Sequence, residues 1–328
     1  MTDGPQPILE ARNLTKHFPI GNALFGRRIV RAVEDVSFKL YPGRVVALVG
    51  ESGSGKSTTA RMLARLYPPT SGQILFKGQS ALRSNRRKAV LRYRSHVQMI
   101  FQDPFSSLNP VHRVSYHLER PLRIHGKVKR DRPISEQIEE LLHQVALTPV
   151  QEFASKYPHQ LSGGQRQRVA IARALAVEPE VILADEPISM LDVSIRMGIL
   201  NLMAKLRQEN NIAFLYVTHD IASARYFADE TLVMYAGHMV EGAPSEELIQ
   251  SPQHPYTQLL LSAVPDPARG LRTRSDVQAR GEVPSLTEIG MGCPFAPRCP
   301  HVMARCREAM PPVTPLSDSR WLRCYLFA

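Results

Sequence analysis

The chain has 328 residues, 43% of them apolar, and a formal net charge of +11, which allows one large core with an appendage and excludes disordered and fibrous classes. No run approaches the ~18 apolar residues of a membrane-spanning helix. The opening Met-Thr-Asp-Gly-Pro-Gln-Pro lacks the basic-then-apolar form of a secretion signal, so a cytoplasmic location is expected, with any membrane role exercised through a partner.

Residues 8–11 and 30–38 read as short strands separated by a Gly-containing loop around 21–28. Phe18 is placed in the first connection, where an aromatic ring could stack on a purine, although a loop Phe taken alone is more often a piece of core. Residues 44–49, Arg-Val-Val-Ala-Leu-Val, form a buried-strand run. Gly50-Glu-Ser52-Gly53-Ser54-Gly55-Lys56-Ser57-Thr58 follows, then a helical pattern over 59–66. Strand, glycine loop and helix start together make a cup of positive partial charge sized for phosphates. This is a G-x-x-x-x-G-K-[ST] loop, in which the amides around Gly53 to Lys56 hold a β-phosphate, Lys56 bridges the β- and γ-phosphates, and the Ser57 hydroxyl ligates Mg²⁺.

A turn at 68–72 leads to a strand-like run at 73–78. The excess positive charge gathers in Arg83, Arg86, Arg87, Lys88, Arg92 and Arg94, and again in Lys127, Lys129, Arg130 and Arg132. Tyr93 alone interleaves the first cluster, poor provision for stacking bases, so a solvated or membrane-proximal face accounts for it better than nucleic acid. The strand-like run at 97–102 ends in Gln102, whose amide can reach the Mg²⁺ or attacking water. From about 103 to 160 the pattern is helical and polar, as in 134–145 with Ile138, Leu141, Leu142 and Val145 on one face. This predicts a helical insertion in an α/β domain.

Leu161-Ser162-Gly163-Gly164-Gln165 precedes a long helical pattern. Ser162 is a good N-cap and the glycines leave helical amides accessible, which makes a second anion-binding helix start. So far from the first in sequence, it is expected to close over a nucleotide held by another subunit. Residues 180–187 form an apolar strand ending in Asp185, Glu186 and Pro187. Side chains alternate along a strand, so Asp185 can hold the Mg²⁺ shell while Glu186 orients and deprotonates water. Asp192 follows, then a helix through Leu206. A further buried strand at 212–217 ends in Thr218, His219 and Asp220; His219 could touch a γ-phosphate, or simply cap the helix beginning near Ile221. Lys56, Gln102, Asp185, Glu186 and His219 thus all stand at strand ends, where α/β sheets bind ligands.

In this order the residues resemble the ATPase subunit of an ATP-binding-cassette system, over residues 8 to about 245. The resemblance implies an α/β P-loop fold with an N-terminal β-subdomain, a helical signature subdomain, and a head-to-tail dimer completed by the Ser162 helix. It also implies an adenine-stacking role for Phe18 and permease contact through the segment after Gln102. Finer stretches are similar to oligopeptide and dipeptide importers: 101–110, Phe-Gln-Asp-Pro-Phe-Ser-Ser-Leu-Asn-Pro, and 251–265 at the start of a C-terminal extension. Residues 166–173 and 16–19 lie nearer the second of the paired ATPases in such systems. Met190 departs from the usual Ala, and Val111-His112 from the usual basic residue. Domains are expected at 1–245, with 103–160 inserted, and 246–328.

All four cysteines, Cys293, Cys299, Cys306 and Cys324, lie in the tail. In a cytosolic protein such clustering favours metal ligation over disulfides, and the resemblance implies a [4Fe–4S] cluster there. The implied partners are a homologous ATPase subunit, giving a heterodimer, two transmembrane permease subunits and, indirectly, an external peptide-binding protein, with no direct nucleic acid. The implied location is peripheral, on the cytoplasmic face of the membrane. A soluble cassette acting on nucleic acid is the rival; the interval from Lys56 to Leu161 lacks the long insertion of the repair type. The permease and receptor choose the solute, so glutathione or a metal chelate stay open beside peptides.

Overall fold

A computed structural model describes residues 6–21, 28–262, 286–287 and 290–328. Parts of the loop at 21–28 and of the 251–265 stretch lie outside the described residues. Packing separates two compact units. The first comprises 1–9, 40–44 and 76–215; the second comprises 10–39, 45–75 and 216–328. The described residues beyond 245 fall in the same unit as the P-loop.

In the first unit, the Val97–Ile100 strand pairs in parallel with Val181–Asp185, Val97 opposite Val181 and Ile100 opposite Ala184. Every residue of Val181–Asp185 is buried, as expected for a parallel strand covered on both faces. The expected helical stretch is present as Pro104–Ser107, Val114–Ile124, Ile134–Gln144, Val150–Ser155 and a 3₁₀ turn at Pro158–Gln160. Asp103 caps the first of these by accepting a bond from the Phe105 amide. Leu118, Leu142, Val145 and Val169 are buried as these helices pack against Gly163–Leu175. Arg168 donates to the Val145 carbonyl at 2.7 Å and Arg173 to the Ser107 carbonyl at 2.5 Å, tying the long helix to the C-terminal ends of two of these helices. Of the first basic cluster, Arg87, Lys88, Arg92 and Arg94 lie on the helix Arg87–His96, with Arg86 at its N-cap and Arg83 before it. In the second cluster, Lys127 pairs with Glu178 and Arg132 with Glu140, so part of that charge is neutralised within the unit.

In the second unit, Leu9–Ile20, Arg28–Leu40 and Ser71–Phe76 form a β layer in which Leu9–Ile20 lies between the other two. The first two run longer than the short segments expected at 8–11 and 30–38, while the third matches the length expected at 73–78. A second sheet carries Val45–Val49, in parallel with Glu230–Tyr235. Ala236 (φ 44°) and Gly237 (φ 86°) then turn the chain into His238–Pro244, with Tyr235 facing His238. Two central residues at positive φ are what a two-residue hairpin requires. The far edge is built by the C-terminal tail: Arg320–Leu322 pairs antiparallel with His238–Pro244, and Thr314–Ser317 with Arg320–Leu322. A Cβ at Gly242 would sit 2.6 Å from the Trp321 indole nitrogen, so this close strand pairing depends on glycine.

Candidate nucleotide site

The loop 50–56 follows directly on the fully buried Val45–Val49 strand. Gly55, at φ 102°, stands immediately before the Lys56–Leu63 helix. A Cβ there would lie 2.2 Å from the Ala32 carbonyl oxygen, so neither backbone angle nor space admits another residue. The helix therefore starts at Lys56 rather than near 59. No side chain caps it and its first turn carries no acid, which leaves the helix start suited to an anion. The Lys56 side chain is buried, and Nζ donates to the Gly50 carbonyl at 2.7 Å, the Glu51 carbonyl at 2.8 Å and Ser54 Oγ at 3.3 Å. An ammonium folded onto loop carbonyls beside a glycine-lined helix start fits a phosphate group. Ser52 and Gly53 are exposed at the loop's crest, with Ser57 and Thr58 half-buried behind it.

Phe18 lies inside the Leu9–Ile20 strand, a correction to its placement in a connection. Its ring meets Tyr67 edge-on at 5.6 Å, and Lys16 Nζ lies 4.9 Å from its centroid. His219 is exposed at the end of the Ala213–Thr218 strand. The cap of the next helix is Asp220, which accepts from the Ala222 amide at 3.0 Å, so the capping alternative for His219 falls away. Two residues that sequence reading did not single out, Tyr256 and Arg298, reach the P-loop at Glu51.

In the first unit, Asp185 is fully buried at its strand end. Glu186, one step on, adopts the left-handed φ of 45°, rare for a non-glycine residue and typical of a functional turn. Its Oε2 accepts a hydrogen bond from Gln102 Nε2 at 2.9 Å. The parallel register, which sets Ile100 opposite Ala184 at the ends of the two strands, brings the loop residues that follow them within reach of each other. Ser162 caps Gly163–Leu175 reciprocally: Ser162 Oγ accepts from the Gln165 amide at 3.3 Å, and Gln165 Oε1 from the Ser162 amide at 3.0 Å. Ser162 is exposed. Gly164, expected only to bare an amide, is buried, and a Cβ on it would lie 2.6 Å from Ile195 Cγ2; this glycine also permits close helix packing. Asp192 is exposed at the start of Val193–Asn210, amid the exposed apolar side chains of Met190, Val193 and Met197.

The four cysteines are unpaired and line one small apolar cavity with Phe295 and Met303. Burial, then the neighbouring sulfurs, pushes the Cys293 thiol up to about 12; burial also raises Cys299 and Cys324. Such thiols stay protonated unless a cation joins them. Among the described residues no group of three or more His, Cys, Asp or Glu side chains is already set to hold a metal ion.

The ABC transporter family model matches residues 33–189, and that of the oligopeptide/dipeptide transporter C-terminal region matches 240–306. The chain is 45% identical over 327 residues to an oligopeptide transport ATP-binding protein of Bacillus subtilis, covering 98% of each chain. It belongs to the ABC transporter family. A dipeptide transport ATP-binding protein of Haemophilus influenzae is 40% identical over 97% of this chain and 96% of its own. Among solved structures, a dimeric ATP-binding cassette in a post-hydrolysis state bound to ADP and Pi superposes with a TM-score of 0.63 at 31% identity, over 72% of this chain and 98% of that one. This member of the family is an ATPase with the P-loop fold.

Proposed function

We propose that this ATPase drives import of di- or oligopeptides through a separate permease. The observation that carries the chemistry is the Gln102–Glu186 hydrogen bond, which fixes a carboxylate at a strand end in a chain that also has the Lys56 cradle. In this reading Lys56 leaves the loop carbonyls to bridge the β- and γ-phosphates, the amides around Gly53 to Lys56 hold the β-phosphate, and Gly50, Ser52, Thr58 and Phe18 complete the nucleotide contacts. Glu186 takes the proton of the attacking water, Gln102 positions both, and His219 meets the γ-phosphate. Ser57, Gln102 and Asp185 would hold Mg²⁺, which when bound neutralises charge on the phosphates. Catalysis by this set is positioning and electrostatics, with no covalent enzyme intermediate.

The partner reading has its support on the surface. Exposed Ser162, Asp192, Met190, Val193 and Met197 suit a second, homologous ATPase subunit whose nucleotide they complete. Phe105, Val111 and Tyr116, exposed after Gln102, suit two permease subunits fed by an external peptide-binding protein. No described helix is long and apolar enough to cross a membrane, in keeping with a peripheral subunit on the cytoplasmic face. The nucleotide-binding domain is assigned to 1–245, with 103–160 as its helical insertion, and the extension to 246–328. The cavity lined by Cys293, Cys299, Cys306 and Cys324 is proposed to hold a [4Fe–4S] cluster.

The decisive test is Glu186→Gln in the assembled transporter. It should bind ATP and accumulate closed dimers while phosphate release falls at least about a hundredfold; an unchanged rate removes Glu186 from its role. Peptide uptake into proteoliposomes bearing the complex tests the solute, and uptake without dependence on ATP refutes the coupling.

A further inference from the structure

Glu51 is the second residue of the P-loop, and each of its polar groups is engaged. Its carbonyl accepts from Lys56 Nζ at 2.8 Å, and its amide donates to the Tyr256 hydroxyl at 2.9 Å. Its carboxylate receives both ends of one guanidinium, Arg298 Nη1 to Oε2 at 2.8 Å and Nη2 to Oε1 at 3.1 Å. Arg298 comes from the cysteine segment, in the 3₁₀ turn Ala296–Arg298 between Cys293 and Cys299. It is 7% exposed, bonded also to the Tyr235 hydroxyl at 3.3 Å, with its guanidinium 5.8 Å from the Tyr235 ring and 5.9 Å from that of Phe295. Tyr235, Tyr256 and Phe295 pack on one another with centroids 4.5 to 5.4 Å apart. A planar fork in an aromatic box, bidentate on a carboxylate, is a preorganised contact.

A carboxylate on a phosphate-binding loop is an electrostatic liability, since it repels the triphosphate the loop must hold. We infer that Arg298 of the cysteine-bearing tail is a positioning residue of the ATP site, cancelling the Glu51 charge and, with Tyr256, fixing the P-loop residue whose carbonyl holds Lys56. The inference rests on the nucleotide reading of the P-loop and extends it by making the tail part of the site. Phosphate affinity then depends on tail docking, with Arg298 acting through Glu51 and not on the nucleotide itself.

The test measures ADP and ATP binding to the purified full-length chain by titration calorimetry, with thermal melts on each variant. Arg298→Ala should raise Kd about tenfold, the effect expected for loss of one charge-assisted pair. Adding Glu51→Gln to it should restore Kd to within about threefold of the parent, because the unpaired charge is gone, and Arg298→Lys should fall between. A Kd unchanged in Arg298→Ala overturns the inference; so does a loss that Glu51→Gln fails to recover, which is what a purely structural Arg298 would give. If Arg298→Ala does not fold, Glu51→Gln alone decides: binding equal or tighter supports the inference, and binding weakened more than about threefold overturns it. Lys56→Ala is the separate control. If it leaves binding intact, the nucleotide reading itself fails; if it abolishes binding while Arg298→Ala does nothing, only the present inference fails.

Discussion

Replacing Arg320 with alanine strips a guanidinium from a carboxylate that solvent does not reach. Glu241 is fully buried, and the Arg320 side chain is 7% exposed. Arg320 Nη2 donates to Glu241 Oε1 at 3.1 Å and to the Ser251 carbonyl, and Nη1 to Glu247 Oε1 at 3.0 Å. Truncation leaves Glu241 with the amides of Gln253 and His254, each at 3.0 Å. Unpairing a buried charge costs about 3–5 kcal/mol, and two retained amide bonds place this case near the lower figure. At roughly 2–4 °C per kcal/mol for a domain of this size, Arg320→Ala should lower Tm by about 6–12 °C in a calorimetric or circular-dichroism melt. The double replacement Glu241→Gln with Arg320→Met should recover most of the loss, since no charge is then buried unpaired. A single variant melting within about 2 °C of the parent, or a double variant as unstable as the single, refutes the reasoning.

Gly55→Ala should abolish measurable ADP binding in calorimetry while the chain still melts cooperatively, because the new Cβ meets the Ala32 carbonyl at 2.2 Å and the φ of 102° resists any side chain; a Kd within about tenfold of the parent would refute it. Acid should loosen the tail. His254, 1% exposed, has its pKa pushed from 6.5 down to about 4 by burial, and burial depresses His238 to about 4 as well. The fold keeps these rings neutral and unfolding lets them take protons, so their contribution is complete above about pH 6.5 and is lost as pH falls toward 4, at up to about 1.4 kcal/mol per pH unit for His254. Urea unfolding at pH 7.5 and 5.0 checks this, and equal stabilities would count against it. Anaerobically purified protein should carry about four iron and four sulfide per chain, lost in Cys293→Ser; absence of iron, sulfide and zinc dismisses the cluster.

How much of this was legible in the sequence depends on the range of the interaction. The P-loop could be read directly because its chemistry is contiguous: a buried strand, glycines at positive φ and a helix start lie within about a dozen residues and need no partner to be specified. The helices between 104 and 160 were legible for the same reason, their apolar spacing reporting a buried face. Periodicity says that a face is buried but not against what. The Gln102–Glu186 bond required the parallel register of two strands widely separated in the chain, and Phe18 proved to be strand because its neighbours extend the β layer. The return of the tail was invisible for the same reason: Arg320 looks like a surface cation and Glu51 like any loop residue. Only long-range packing brings Arg320 to the buried Glu241 and Arg298 to the P-loop, and a charge's meaning is set by the partner and the dielectric around it, which chain order does not carry.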